Sequence, residues 1–216
     1  FGGRGLSGTG PKAGGPLYLG RLLDAAPDAL PLPPAALPAP ALDAFIDWLD
    51  LHREETAASI ARTYAAASPL GLTLELPGPV GELNLYALHP RGTILLCPTS
   101  HEGLYQQIAA VLATGNEARI EGEPLPGDLP PAVLERLTAP TDRPLAGALI
   151  EGEPAHIRAT LTAIAARPGP VLLAQAASRT DCVAGPAYRL DWLVEEVATS
   201  INTTASGGNA SLMTIG

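Results

Sequence analysis

Lysine is all but missing from the chain. Lys12 is the only one in 216 residues, and Lys and Arg together number 13 against 22 Asp and Glu, a formal net charge of −9. With no basic cluster, a nucleic-acid surface is excluded. Charge of either sign is scarce, at 16%. A domain that covers its surface against a partner has that composition. Biased codon usage produces it too, since alanine abounds and Arg replaces Lys, and both readings stay open. Cysteine is limited to Cys97 and Cys182. They lack metal-site spacing and are too few for a disulfide scaffold of this length, so both read as buried thiols in a reducing, cytoplasmic compartment. No apolar run approaches a membrane span and no secretory leader is visible. Asn202-Thr203-Thr204 and Asn209-Ala210-Ser211 match the glycosylation pattern, which carries no weight without secretion. No internal repeat is visible either.

What is present centres on Gly92 to Glu121. Thr93-Ile94-Leu95-Leu96-Cys97 has the length and β-branched content of a buried strand. Pro98-Thr99-Ser100-His101 breaks it. A helix then starts near Gly103, with Leu104, Ile108, Val111 and Leu112 at spacings of three and four. Gly115-Asn116 ends that helix, glycine being the residue that turns left-handed without strain. Ala118 to Glu121 supplies a second parallel strand. The result is a βαβ unit with the usual right-handed crossover.

Around this unit the chain alternates. Leu72 to Leu76 and Leu83 to Leu88 flank Pro77-Gly78-Pro79-Val80-Gly81 and predict a hairpin. Leu145 to Ile150 predicts a third parallel strand, Ala155 to Ala166 its helix, and Val171 to Ala174 a fourth strand. Ala132 to Leu137 predicts a short helix. The fold class is α/β: a Rossmann-like parallel sheet flanked by helices, with a β-hairpin flap and extended Gly-rich termini. Ala41 to Ala67 predicts the longest helix, with Leu42, Phe45, Ile46 and Leu49 on its apolar face, Phe45 and Trp48 in the core and His52 on its solvated surface. Ahead of it, residues 27 to 40 carry six prolines, a stiff semi-extended linker. Residues 16 to 23 form a helical turn or two. Gly185 to Val197 mixes a short strand or helix with a packed Trp192. Phe1 to Pro16 is too glycine-rich for a regular element, and its opening inside a loop reads as a piece of something longer.

Gly3-Arg4-Gly5-Leu6-Ser7-Gly8 spells a dinucleotide fingerprint, but no strand precedes it and Thr9-Gly10-Pro11 follows where a helix must open. A phosphate loop fails equally, since Pro11 stands where lysine is required. A backbone loop passing close to another surface is the better reading. Cys182 has no histidine or cationic helix end nearby to make it a nucleophile. His89 and His156 have no evident pairing. His101 beside Glu102 mimics an acid–base pair, with nothing else converging on it.

Three stretches resemble the C-terminal end of the long forms of the proline utilization A family. These bifunctional enzymes join proline dehydrogenase to L-glutamate-γ-semialdehyde dehydrogenase on one polypeptide. FGGRGLSGTGPKAGGP is similar to the closing segment of the aldehyde dehydrogenase module, in which the aromatic matching Phe1 lines the substrate pocket. The middle region resembles the extra aldehyde-dehydrogenase-like domain of the longer members. Ile201 to Gly216 is similar to their C-terminal motif, whose matching residues here are Asn202, Gly207, Gly208, Asn209, Leu212, Met213 and Ile215. The resemblance implies four parts: 1–25 closing the dehydrogenase module, 26–40 a Pro-rich linker, 41–198 a degenerate Rossmann domain, and 199–216 a C-terminal docking motif.

An ungapped count from Gly115-Asn116 sets this middle region against the working superfamily. Cys97-Pro98 stands where active members have Trp-Asn, whose amide serves the oxyanion; proline has no such donor, and losing one donor costs about 10²–10³ in rate. Glu121 stands where a lysine holds the cofactor ribose. Gly152-Glu153 replaces the phosphate-facing Gly-Ser, with Glu153 expected to cap the following helix itself. The resemblance therefore implies no catalytic, cofactor or metal residue in this chain, with FAD and NAD belonging to the parent enzyme. It implies the upstream modules of the same polypeptide as partners, and the docking motif as a lid over the route between two active sites. The parent is expected in the cytoplasm, with peripheral attachment to the inner membrane and a homo-oligomer both left open. The competing readings are a functional NAD-dependent aldehyde dehydrogenase module and an oligomerisation or membrane-docking module.

Overall fold

A computed structural model describes residues 4–5, 8–12, 14–20, 22–23 and 37–202. In chain order these form strands β1 (Arg4–Gly5) and β2 (Gly8–Thr9), helices α1 (Pro16–Gly20), α2 (Pro40–Leu51) and α3 (Glu55–Ala66), and strands β3 (Thr73–Leu76), β4 (Glu82–Pro90) and β5 (Thr93–Cys97). Then come α4 (His101–Ala113), β6 (Glu117–Ile120), α5 (Pro131–Leu137), β7 (Leu145–Glu151), α6 (Pro154–Ala165), β8 (Leu173–Ala177), α7 (Arg179–Ala184) and β9 (Val194–Asn202). The centre is a parallel sheet of order β6-β5-β7-β8, with Cys97 beside Ile150 in the β5–β7 register. A smaller antiparallel sheet runs β3-β4-β9.

The predicted βαβ unit is present, and local chemistry explains its ends. Ser100 is extended and its hydroxyl accepts the Gly103 N–H at 3.1 Å, a side-chain cap on an otherwise unsatisfied donor. Gly115, at φ 66°, stops the helix in the left-handed region that only glycine enters cheaply. Strand β5 is buried on both faces, and its side chains alternate between two layers. Ile94 and Leu96 join Leu104, Ile108 and Leu149 in one cluster with Phe45, Leu49, Ile60 and Tyr64 of α2 and α3. Leu95 and Cys97 join Ala148, Ile150 and Ile164 under α6. Each such aliphatic side chain contributes about 1.5–3 kcal/mol when removed from water, so this alternation holds the two helix layers on the sheet.

Several expected elements differ. The single helix over 41–67 is two, broken at His52, Arg53 and Glu54, with Arg53 at φ 60°. His52 is exposed, as expected, and sits at the C-terminal end of α2 with Nδ1 at 2.8 Å from the Trp48 carbonyl and Nε2 at 2.8 Å from the Asp128 carboxylate. Phe45 and Trp48 are core, as expected. The fourth parallel strand starts at Leu173 rather than Val171, because its pairing with β7 begins at Gly147. The glycine-rich opening does hold a short element, Arg4–Gly5 against Gly8–Thr9. After a 3₁₀ turn at Leu190–Trp192, where Trp192 is half-buried beneath Arg189, the chain runs as one nine-residue strand, β9. That strand pairs with β4 from Val194 through Asn202, so Thr199 to Asn202 continue the sheet.

Candidate functional site

A doubly wound sheet binds its ligands outside the carboxyl ends of its strands, where the strand order reverses. Here the chain leaves β5 toward β6 and returns on the other side of β5 to form β7, so the reversal lies between β5 and β7. The carboxyl end of β5 leads through Pro98, Thr99 and Ser100 into α4. That helix N-terminus faces the crevice with its N–H groups, the usual seat for a phosphate.

The seat is taken by the protein itself. Glu151, the last residue of β7, is 1% exposed. Its Oε2 accepts the Thr99 N–H at 2.6 Å and the Thr99 hydroxyl at 2.8 Å, while Oε1 accepts the Ser100 hydroxyl at 3.2 Å. A Cβ added at Gly103 would fall 2.6 Å from Oε2, so the carboxylate lies directly on the first turn of α4. A buried charge needs such hydrogen bonds to offset its desolvation, and a helix N-terminus adds a favourable field. Sequence reasoning did not single out Glu151. It reads as the polar end of an apolar strand, and its role exists only because β7 lies beside β5.

The residues expected to replace the superfamily's machinery lie around this point. Cys97 and Pro98 line an open cleft of about 440 Å³ with Glu121, His156, Thr160 and Arg167. Glu121 is ion-paired to Arg167 at 2.6 Å, so its repulsion of a phosphate is partly neutralised. Glu153 occupies the N-cap position of α6, but its side chain makes no cap hydrogen bond, contrary to expectation. His101 and Glu102 do not form a pair: His101 Nε2 meets Glu123 at 3.0 Å, and Glu102 takes Arg179 at 2.8 Å. His156 contacts Thr160 at 3.4 Å within its own helix. A larger hollow of about 610 Å³ opens at the other end of the sheet, beside Gly92, Glu117 and Leu145, the end at which doubly wound folds do not bind ligands.

Neither cysteine is poised to react. Burial, with Glu121 adding to it, pushes the Cys97 thiol up to about 11. Burial pushes Cys182 up to about 11 as well, against a lowering contact with the Tyr188 hydroxyl. A nucleophile needs the opposite shift. Among the described residues no group of His, Cys, Asp and Glu could hold a metal ion, and no helix is long and apolar enough to cross a membrane. At the switch point the Glu151 carboxylate occupies the helix N-terminus where the pyrophosphate of NAD would sit, and on that side the residues present do not fit the cofactor.

The bifunctional protein PutA of Rhizobium meliloti is 54% identical over 228 residues, an alignment that takes in 100% of this chain and 18% of that protein. The bifunctional protein PutA of Escherichia coli strain K12 is 37% identical over 239 residues, with 100% and 18% covered. The chain is a region of the PutA family. It spans less than a fifth of the length of these curated relatives. No family model matches it. Among solved structures, proline utilization A from Corynebacterium freiburgense superposes with a TM-score of 0.48 and 21% identity over 92% of this chain and 18% of that one. An aldehyde dehydrogenase from Bacillus cereus gives 0.44 and 13% identity over 65% and 38%.

Within this PutA region, Phe1, Gly207, Gly208, Asn209, Leu212, Met213 and Ile215 lie outside the described residues. Asn202 is the last residue of β9, exposed and opposite Glu82.

Proposed function

We propose that this region is a non-catalytic, Rossmann-like domain of a bifunctional enzyme that converts proline to glutamate. In this reading the parent carries the FAD and NAD, its dehydrogenase modules lie upstream on the same polypeptide, and it works in the cytoplasm with peripheral contact to the inner membrane. The observation that carries the non-catalytic role is the Glu151 carboxylate seated at the switch point on Thr99, Ser100 and the first turn of α4. A dinucleotide and that carboxylate cannot share the site, and like charges at this distance repel strongly in a buried setting. Titration of this chain with NAD tests it: no saturation through the micromolar range is expected, and saturable micromolar binding overturns it.

The second half of the proposal concerns residues 199–216. They are read as a docking motif that helps enclose the route of the intermediate between the two active sites, with Leu212, Met213 and Ile215 supplying apolar burial at about 25 cal/mol per Å². Because β9 runs to Asn202, the informative truncation begins at residue 203, which spares the sheet. In the parent enzyme this truncation is expected to impair coupled proline-to-glutamate turnover far more than proline oxidation. Unchanged coupled kinetics rule the role out.

A further inference from the structure

The segment entering this region is held to the small sheet at two points. Leu17, in α1, is 2% exposed and packs in a cluster with Leu72, Tyr86, Leu88 and Val194. Beside it stands Glu196, which points inward from β9 and is 6% exposed. Its Oε2 accepts the main-chain N–H of Lys12 at 2.8 Å, and its Oε1 accepts the Tyr86 hydroxyl at 2.8 Å. A Cβ on Gly15 would fall 2.0 Å from Oε1. The entering chain therefore passes the carboxylate at Gly15 so closely that a larger residue there would have to displace the Glu196 carboxylate. Burial and the adjoining carboxylate raise the Tyr86 phenol well above its ordinary value, which keeps it protonated as the donor.

A hydrophobic residue at 196 would bury more cheaply than a carboxylate. What the carboxylate adds is direction: two donors from distant parts of the chain, at sequence separations of 184 and 110, converge on it. We infer that Glu196 is a latch, a positioning residue that seats Lys12 and Gly15 on β9 and thereby fixes the chain at these two residues against the strand leading out of the domain. In sequence, residues 203–216 follow Asn202, the last residue of β9. Resting on the proposed enclosing role of those residues, the latch sets where they start relative to the module that residues 1–25 close.

Limited proteolysis of the full chain tests the latch: trypsin cleavage after Lys12 is expected to be slow while Glu196 holds the Lys12 N–H. Glu196→Ala is expected to speed that cut on the order of tenfold, as expected when a locally closed segment loses its buried hydrogen bonds. Glu196→Gln keeps the acceptor for Tyr86 but faces Lys12 with an N–H₂, and falls between. Gly15→Ala keeps the glutamate but forces its carboxylate off the Lys12 N–H by overlap, giving a similar acceleration. In the double variant the overlap is relieved, so the rate stays at that of Glu196→Ala alone. Native-like cleavage in both single variants, or accelerations that multiply in the double, overturns the latch. In the parent enzyme Glu196→Ala is expected to lower coupled proline-to-glutamate flux and spare proline oxidation. Faster cleavage with unchanged coupled flux upholds the latch and instead removes the enclosing role.

Discussion

At the scale of single residues, Glu151 fills the N-terminal end of α4 at the switch point of the sheet. Its carboxylate accepts from Thr99 and Ser100 in a crevice where its side chain is nearly unexposed. Removing it strands those donors and leaves a small cavity, so Glu151→Ala is expected to cost about 3 kcal/mol, from one to two unsatisfied buried groups at about 1–3 kcal/mol each. Formate, which supplies the missing carboxylate, is expected to restore much of that loss in the variant and to leave the native protein unmoved. Chemical denaturation with and without formate measures both effects. A variant that formate does not stabilise removes the anion-seat account. Gly103 follows from the same contact: Gly103→Ala places a Cβ within 2.6 Å of the carboxylate.

At the scale of elements, two joints set how helices and strands meet. The first is the break between α2 and α3. A continuous helix over 41–67 satisfies the apolar periodicity, yet it cannot lay both Phe45 and Tyr64 in one cluster with Leu104 while remaining straight. Bending at Arg53 costs about 1–2 kcal/mol for a left-handed non-glycine residue. Tertiary contacts offset it: the His52 ring stacks on Trp48 at 4.2 Å and reaches Asp128. The Trp48 carbonyl, followed by Asp128 and Glu54, raises the His52 pKa above its ordinary 6.5, against a smaller lowering by burial. A raised pKa stabilises the fold below the unfolded value and loses that contribution as pH rises through the folded one. The stability difference between the native chain and His52→Ala is therefore expected to be largest near pH ~5.5 and to shrink by about pH 8. Thermal melts across that range check it; a difference that grows with pH contradicts it.

The second joint is Asn116, 1% exposed. Its Oδ1 accepts the Gly92 N–H at 2.8 Å, while its Nδ2 donates to Leu193 O at 2.8 Å and to the Thr114 hydroxyl at 2.7 Å. One amide thus clips the start of β5, the end of α4 and the approach to β9. Asn116→Ala is expected to cost about 2–4 kcal/mol through the groups it orphans, and Asn116→Asp to recover only the bond from Gly92. Urea midpoints of the two variants separate these outcomes. The sequence marks Asn116 only as part of a helix stop; its two distant partners were not readable there.

At the scale of the whole molecule, the antiparallel sheet closes the domain with its last strand. An isolated hairpin of β3 and β4 is marginal in water, and β9 pairs with β4 along nine residues. A chain ended at Leu193 loses that strand together with Val194 and Glu196. Amides of residues 82–90 are then expected to exchange with solvent fast, while those of β5 and β7 keep their protection. Hydrogen exchange by residue distinguishes this from global unfolding, which exposes both sheets together.

Periodicity alone determined the parallel core: apolar runs of strand length, each followed by a helix pattern and punctuated by Ser100, Gly115 and Pro residues, admit few arrangements besides a Rossmann-like sheet. The two buried thiols, the hairpin and the membership of the PutA family were equally legible, because each rests on local composition or on contiguous residues. Tertiary structure decided the rest. The kink at Arg53, the full length of β9, the anion seat of Glu151 and the latch at Glu196 all depend on partners 50 or more residues away or on space left by neighbouring elements, as in the 52 residues between Glu151 and Thr99. Such pairings leave no periodic mark along a chain, since they are set by which strand ends lie side by side.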